Sequence, residues 1–156
     1  MMRPLQPGDR EPLHAVLTST GVFTDDEVAI GLELIDTVIT RPGQQDYVAT
    51  VYEQEGQAVG YYCLGPTPAT VGTFDLYWIA VDPSMHGRGI GGSLDGHAEA
   101  YVRSCRGRLI IAETSSLPRY DATRRFYHHH GYAELARIRG YYRVDDDLVV
   151  FGKYLM

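Results

Sequence analysis

A glycine-rich turn between an apolar segment and an amphipathic one constrains this chain most. The segment reads IAVDPSMHGRGIGGSL and places glycines at positions 87, 89, 91 and 92. A strand that passes through such a loop into a helix exposes main-chain amides at the helix N-terminus, with no side chains in the way. The sequence therefore predicts an anion site over residues 86–92 that suits a pyrophosphate.

The same glycines also fit a dinucleotide-binding pattern. Gly87, Gly89 and Gly92 match GxGxxG, and Glu113 lies about as far downstream as the ribose-binding acid of that fold. However, residues 82–86 separate the strand from the first glycine, and the chain contains only one strand-helix-strand unit. Both features disfavour the dinucleotide-binding interpretation.

Hydrophobic periodicity and turn residues divide the chain into four helices and six strands. The predicted helices are residues 9–19, a segment from Thr24 to the Arg41-Pro42-Gly43 break, residues 89–103 and residues 122–130. The predicted strands are residues 47–52, 58–64, 73–81, 108–113, 134–139 and 148–154, the last two joined by an acidic turn at residues 145–147.

Composition limits the class of protein. A chain of 156 residues with 44% hydrophobic side chains suits one domain over residues 1–156. The net charge of −6 disfavours nucleic-acid binding, and no run approaches the ~20 apolar residues of a membrane span. Only Cys63 and Cys105 are present, outside any zinc-ligand pattern, so we expect reduced thiols, no metal and a cytoplasmic location.

Two motifs carry a family resemblance. D-P-x-x-H-G-R-G-I-G resembles the acyl-CoA loop of the GNAT superfamily of N-acetyltransferases, with His86 in place of the usual Gln or Arg. R-R-F-Y-H-H-H-G-Y is similar to the superfamily's second signature, a helix ending in Phe-Tyr before Gly and an aromatic residue. The resemblance implies an α/β fold of the α+β type, with a mixed, mostly antiparallel sheet of six or seven strands flanked by about four helices.

Acetyl-CoA is the co-substrate that the resemblance implies. Its arm is expected between two splayed strands that carry Ile79 and Ile111, with an N–H near Ile79 for the developing oxyanion. Tyr120 stands where the superfamily often has Asn. The residues expected to bind acetyl-CoA are Ile79, Ala80, Val81, His86, Gly87, Arg88, Gly89, Ile90, Gly91, Gly92, Tyr120 and Arg124.

Direct acyl transfer to an amine needs a proton acceptor, because an alkyl ammonium has a pKa of about 10. Asp75 is the first candidate by register, and Glu113, at the end of the next strand, is the alternative. Strand alternation predicts Asp75, Tyr77, Ile79 and Val81 on one face.

Tyr127 resembles the tyrosine that protonates the departing thiolate. Two alternatives to these catalytic roles stay open: that Asp75 is hydrogen-bonded to a turn, and that Tyr127 is a packing residue.

A primary amine of a small molecule is the expected acceptor, with Glu33 and Tyr77 as candidate binding residues. Consecutive helical residues point in different directions, so His128, His129 and His130 are interpreted as an exposed helix terminus rather than a metal site. The resemblance favours a homodimer. A non-catalytic module that binds acyl-CoA as a sensor or partner subunit remains the alternative function.

Overall fold

The computed structural model describes residues 1–155. In that range the chain forms four α-helices: α1 (Arg10–Ser19), α2 (Asp25–Thr40), α3 (Ile90–Ser104) and α4 (Asp121–His129). It also forms seven strands: β1 (Met2–Pro4), β2 (Val48–Gln54), β3 (Gln57–Pro66), β4 (Thr73–Val81), β5 (Leu109–Ser115), β6 (Ala133–Arg143) and β7 (Asp146–Tyr154). None of the helices in the described range is both long enough and apolar enough to cross a membrane.

The start of α2 follows the predicted capping box. Thr24 Oγ1 accepts a hydrogen bond of 3.2 Å from the amide of Glu27, and Glu27 Oε1 accepts one of 3.0 Å from the amide of Thr24. These reciprocal bonds satisfy two main-chain donors that the first helical turn leaves free. The prediction that α2 begins here is confirmed.

All seven strands belong to one sheet, in the order β1-β2-β3-β4-β5-β7-β6. Every neighbouring pair is antiparallel except β4 and β5, so the predicted fold class is confirmed. The parallel pair is short: Thr73, Phe74 and Asp75 face residues 109–111, and no later residue of β4 pairs with β5. The two strands therefore separate beyond Asp75, which leaves the edge of β4 that faces β5 without a partner, while its other edge stays paired with β3.

A β-bulge interrupts β4 at Tyr77. Trp78 pairs with Cys63 on β3 and Leu76 pairs with Leu64, so Tyr77 has no partner on β3. Leu76 packs with the α3 side of the sheet, whereas Trp78 packs with the α1–α2 side. The predicted alternation is therefore correct before the bulge and wrong beyond it, because one extra residue exchanges the two faces.

Helices cover both faces of the sheet. Helices α3 and α4 bury Leu94, Val102 and Tyr127 against one face, and α1 and α2 bury Leu17 and Ile35 against the other. Each face thus has its own apolar core. Trp78 extends the second core to Phe23. The two rings contact each other edge-on, with centroids 4.8 Å apart.

The predicted acidic turn before the last strand is corrected by the structure. Only Val144 and Asp145 separate β6 from β7, and Asp145 has a positive φ of 65°. Asp146 instead begins β7, is 2% exposed, and accepts a hydrogen bond from the hydroxyl of Ser115. Burial of a carboxylate requires such a partner, which the sequence pattern did not indicate.

Candidate functional site

The glycine loop leads from the end of β4 into α3. Asp82 Oδ1 accepts hydrogen bonds of 2.9 Å from the amide and the hydroxyl of Ser84, which fixes the first turn of the loop. Gly87 and Gly89 follow with φ of 79° and 77°, a left-handed conformation that favours glycine. Helix α3 then begins at Ile90, so its free amides point back toward the loop.

The imidazole of His86 is bonded within the loop. Its Nε2 donates a hydrogen bond of 3.1 Å to the carbonyl of Val81, the last residue of β4. A carbonyl only accepts, so this contact fixes the proton on Nε2. His86 therefore ties the middle of the loop to the end of β4, a role that the sequence did not indicate.

Gly91 and Gly92 allow α3 to approach the end of α4. A Cβ at Gly91 would lie 3.0 Å from the ring of Phe126, and one at Gly92 would lie 3.0 Å from the ring of His130. The rings of Phe126 and His130 also contact each other, with centroids 4.4 Å apart. The glycine spacing thus serves helix packing as well as amide exposure.

The loop borders a cavity of about 400 Å³, here called the loop cavity. Among the residues expected to bind acetyl-CoA, those that line it are Ile79, Ala80, Val81, His86, Gly87, Gly89, Ile90, Gly91 and Gly92. Its other lining residues are Thr20, Val22, Phe23, Met85, Ala122, Thr123, Phe126 and His130. No Lys or Arg of the described chain lines it, so main-chain amides are the principal donors available to a phosphate.

Three of the residues expected to bind acetyl-CoA lie elsewhere. Arg88 is exposed on the loop outside the cavity. Tyr120 donates a hydrogen bond to Glu27 and lines the neighbouring cavity. Arg124 donates to the carbonyls of Ser115 and Leu117 and pairs with Asp121, which holds the segment between β5 and α4.

A second cavity, of about 390 Å³, adjoins the first and shares Phe23, Ile79 and Thr123 with it. We call it the carboxylate cavity, because four acids line it: Asp26, Glu27, Glu113 and Asp146. Its remaining lining residues are Thr24, Ile30, Tyr77, Trp78, Thr114, Ser115, Arg119, Tyr120, Tyr127, Tyr142 and Arg143. The shared Ile79 lies on β4 where that strand has already separated from β5.

The two candidate bases differ in environment. Asp75 accepts a hydrogen bond of 2.8 Å from the hydroxyl of Thr67 and lines neither cavity. Glu113 lines the carboxylate cavity, and its pKa is raised by partial burial and by the charge of Asp75. A carboxylate with a raised pKa is a better proton acceptor near neutral pH. The geometry therefore favours Glu113 over Asp75, which was the first choice from sequence.

Tyr127 lies on α4 about one helical turn after Thr123, which both cavities share. It is 5% exposed and lines the carboxylate cavity, while its ring contacts Tyr132 and Phe151 with centroids 5.1 and 5.5 Å away. Burial, together with the charge of Asp95, raises the pKa of its hydroxyl well above the usual value. Tyr127 is thus held protonated beside the cavity, as a proton donor must be.

Of the two residues expected to bind the acceptor, one lies at the site. Tyr77 lines the carboxylate cavity, and burial and the nearby Asp75 raise its pKa to about 12. Glu33 is exposed on α2 and lines neither cavity, because the helix presents its first turn to the site. The acids of α2 that line the cavity are Asp26 and Glu27, almost two turns earlier.

Reasoning from the sequence missed the contribution of His130 and of the loop between α1 and α2 to the site. Thr20, Val22 and Phe23 line the loop cavity although they precede the glycine loop by about sixty residues. The sequence pattern assigns His130 to an exposed helix end, whereas its side chain lines the loop cavity. The spacing of Phe126 and His130, four residues apart and hence on one helical face, was a signal available in the sequence.

Comparisons with known proteins agree with this geometry. The model of the GNAT acetyltransferase domain matches residues 45–134, which is more than half of the chain. A GNAT-family protein from Desulfovibrio desulfuricans has 37% sequence identity to the chain and a TM-score of 0.92, with 99% of this chain and 98% of that one covered. A search of curated proteins found no match.

More distant structures share the fold. An aminoglycoside 6'-N-acetyltransferase complexed with coenzyme A is 17% identical, with a TM-score of 0.79 over 100% of this chain and 97% of that one. The ribosomal-protein-S18-alanine N-acetyltransferase from Escherichia coli is also 17% identical, with a TM-score of 0.75 over 99% and 92%. With the family match and the close relative, the chain belongs to the GNAT acetyltransferases.

Proposed function

We propose that this acetyltransferase moves an acetyl group from acetyl-CoA to a primary amine of a small molecule, by direct attack. The observation that carries the proposal is the junction of two cavities at Ile79. One cavity offers main-chain amides to phosphates, and the other offers carboxylates to an amine. Residues 1–156 would act as one unit in this reaction.

The residues of the loop cavity fit a CoA thioester. The amides after Gly87 and at the start of α3 form an anion site of low bulk, which suits the pyrophosphate. Beyond Asp75, the β4 backbone has no partner on β5 and is free to bond the extended arm. A main-chain donor near Ile79 would stabilise the negative charge that develops on the carbonyl oxygen.

Two side chains carry the proton transfers in this proposal. Glu113 accepts a proton from the ammonium, so that the neutral nitrogen forms a bond to the acyl carbon. As the carbon–sulfur bond breaks, Tyr127 donates its proton to the leaving sulfur, and the second proton that the nitrogen loses on amide formation restores the Tyr127 hydroxyl. A thiol has a pKa of about 8.5, so this donation assists departure without being indispensable.

Calorimetric titration of acetyl-CoA tests the loop cavity. We expect micromolar binding to the native chain, and loss of binding in Gly89→Glu, which puts bulk and negative charge at a left-handed position beside the helix N-terminus. No binding to the native chain would refute the proposal. Amine-dependent release of free CoA then separates an enzyme from a sensor, which would bind acetyl-CoA and release no thiol above background.

Strand β6 supports a homodimer as part of the proposal. All eleven of its residues are exposed, including Leu135, Ile138 and Tyr141, although it is a long strand at the edge of the sheet. Such an edge readily pairs with another chain. Sedimentation velocity should show a dimer that Ile138→Lys weakens, and a monomer at all concentrations would contradict this assembly.

The free cysteines support a cytoplasmic location as a further part of the proposal. Cys63 is buried and Cys105 is exposed, and neither forms a disulfide. Fractionation of the native host, followed by detection of the chain, would test the location.

A further inference from the structure

We propose that the acceptor carries a second positive charge besides the amine that reacts, so that the carboxylate cavity binds a small dicationic or polycationic amine. This inference rests on the proposed function, because it names the acceptor class for that site. Linear diamines and amino sugars with several ammonium groups share this chemistry.

The charges of the cavity do not cancel. Arg119 lies 3.6 Å from Glu27, and Arg143 lies 3.8 Å from Asp146, so each arginine compensates one acid. The side-chain carboxylates of Asp26 and Glu113 form no hydrogen bond or ion pair with any residue in the described range. The cavity therefore retains two uncompensated carboxylates.

These two carboxylates approach the cavity from different elements. Glu113 lies on β5, which also contributes the neighbouring Thr114, whereas Asp26 lies in the first turn of α2, and both side chains are exposed. In the proposed reaction Glu113 is the base, which leaves Asp26 to bind a second charge. Two ammonium groups of one molecule satisfy both better than one does.

The chemistry of the reaction explains why a second positive charge on the acceptor favours binding. The reacting nitrogen must lose its proton before it attacks, and it then loses its attraction to Glu113. A second ammonium, which stays protonated, keeps the acceptor attached to Asp26 throughout the transfer. A singly charged amine has no such anchor when its nitrogen becomes neutral.

Thr114 supplies independent evidence for a polar ligand. It is 5% exposed and lines the cavity, yet its Oγ1 has no hydrogen-bond partner in the described chain. A buried hydroxyl is rarely left unpaired, because it loses its bonds to water without replacement. An N–H of a bound amine would provide the missing donor next to Glu113.

The test compares singly and doubly charged acceptors. Acetyl transfer to 1,4-diaminobutane and to a polyamino sugar should exceed transfer to 1-aminobutane and to an alanyl-glycine amide by about tenfold or more in kcat/KM, given one added charge pair near the surface. A preference for only one of the two polycations would distinguish the linear from the sugar form. Equal rates for all acceptors, or a preference for the peptide, would overturn the inference.

A matched pair of variants assigns the effect to Asp26. Asp26→Asn should reduce the preference for 1,4-diaminobutane over 1-aminobutane about tenfold, mainly through KM. Asp25→Asn removes an equal charge from the same helical turn outside the cavity and should retain the preference. If both variants changed the preference equally, a general surface charge would explain it and the specific site would be excluded.

Direct binding keeps this inference separate from the proposed function. We would titrate 1,4-diaminobutane into the chain saturated with CoA, and expect weaker binding to Asp26→Asn than to Asp25→Asn. Such a result without any turnover would refute the enzyme and retain the dication site. Turnover of monoamines without diamine binding would refute the dication site and retain the enzyme.

Discussion

His86 Nε2 and the carbonyl oxygen of Val81 are joined by a hydrogen bond of 3.1 Å, which ties the glycine loop to the end of β4. We predict that His86→Ala weakens acetyl-CoA binding about two- to tenfold, the range for one hydrogen bond, because the loop loses this contact. His86→Gln keeps a donor and should lose less. Calorimetric titration of both variants measures the difference, and equal binding by His86→Ala and the native chain would contradict the role.

The pH dependence of transfer should report on Glu113. As a base, Glu113 must be ionised, so kcat/KM falls as pH drops through its raised pKa. Asp75→Asn removes a neighbouring negative charge, which lowers that pKa and moves the acid limb of the profile to lower pH. Glu113→Gln should lose about 10²- to 10⁴-fold in rate and lose the limb. If kcat/KM of Asp75→Asn fell at the same pH as that of the native chain, Glu113 would be excluded as the base.

Tyr127→Phe should lower kcat by at most about 10²- to 10⁴-fold while acetyl-CoA binding is kept. The expected reason is loss of the proton donor beside the leaving sulfur, in a residue whose ring continues to pack against Phe151. Tyr132→Phe is a matched control, because its hydroxyl bonds Asp95 outside both cavities. Steady-state kinetics compare the variants, and equal losses in both would assign Tyr127 a packing role.

Thr114→Val should stabilise the chain and impair the reaction. Replacement of an unpaired buried hydroxyl by a methyl group of similar shape removes a desolvation penalty of about 1–3 kcal/mol from the folded state. The bound amine would lose a partner, so KM for the acceptor should rise. Urea unfolding and kinetics on the same variant give both values, and a loss of stability would show that the hydroxyl is paired.

Lys153→Met should be the most destabilising of these substitutions. Lys153 Nζ lies 3.0 Å from Asp95, which is 3% exposed and also accepts a hydrogen bond of 2.8 Å from Tyr132. A buried carboxylate that loses its cation costs about 3–5 kcal/mol. Arg10→Met, which breaks an exposed pair with Asp36, should cost at most about 1 kcal/mol in the same urea unfolding experiment.

Local features of the sequence predicted much of the fold. The capping box at Thr24 and Glu27 and the glycine turn before α3 act over a few residues, so they can be read from one chain. Strand β1 was missed, because three residues at the N-terminus form a strand only by pairing with β2. Its Arg3 binds Asp9 through two hydrogen bonds of 2.7 and 2.8 Å, a contact that no periodicity indicates.

The site was harder to predict because distant segments build it. Glu33 was chosen from the charge on α2, but the direction in which the helix docks decides that Asp26 and Glu27 meet the cavity. Preference for Asp75 came from register alone, which does not show that Thr67 binds its carboxylate. Helix docking decides the first outcome and the hydrogen bond from Thr67 decides the second, and both exist only in the folded chain.

The bulge at Tyr77 gives β4 one more residue than its pairing with β3 uses. Leu76 lies opposite Leu64 and Trp78 opposite Cys63, so deletion of Tyr77 alone would make these two pairs consecutive and leave Trp78 and Ile79 on their present faces. The carboxylate cavity would lose the ring of Tyr77 from its lining. A relative without this one residue would therefore keep the sheet and the junction of the two cavities, and its acceptor site would have a different shape.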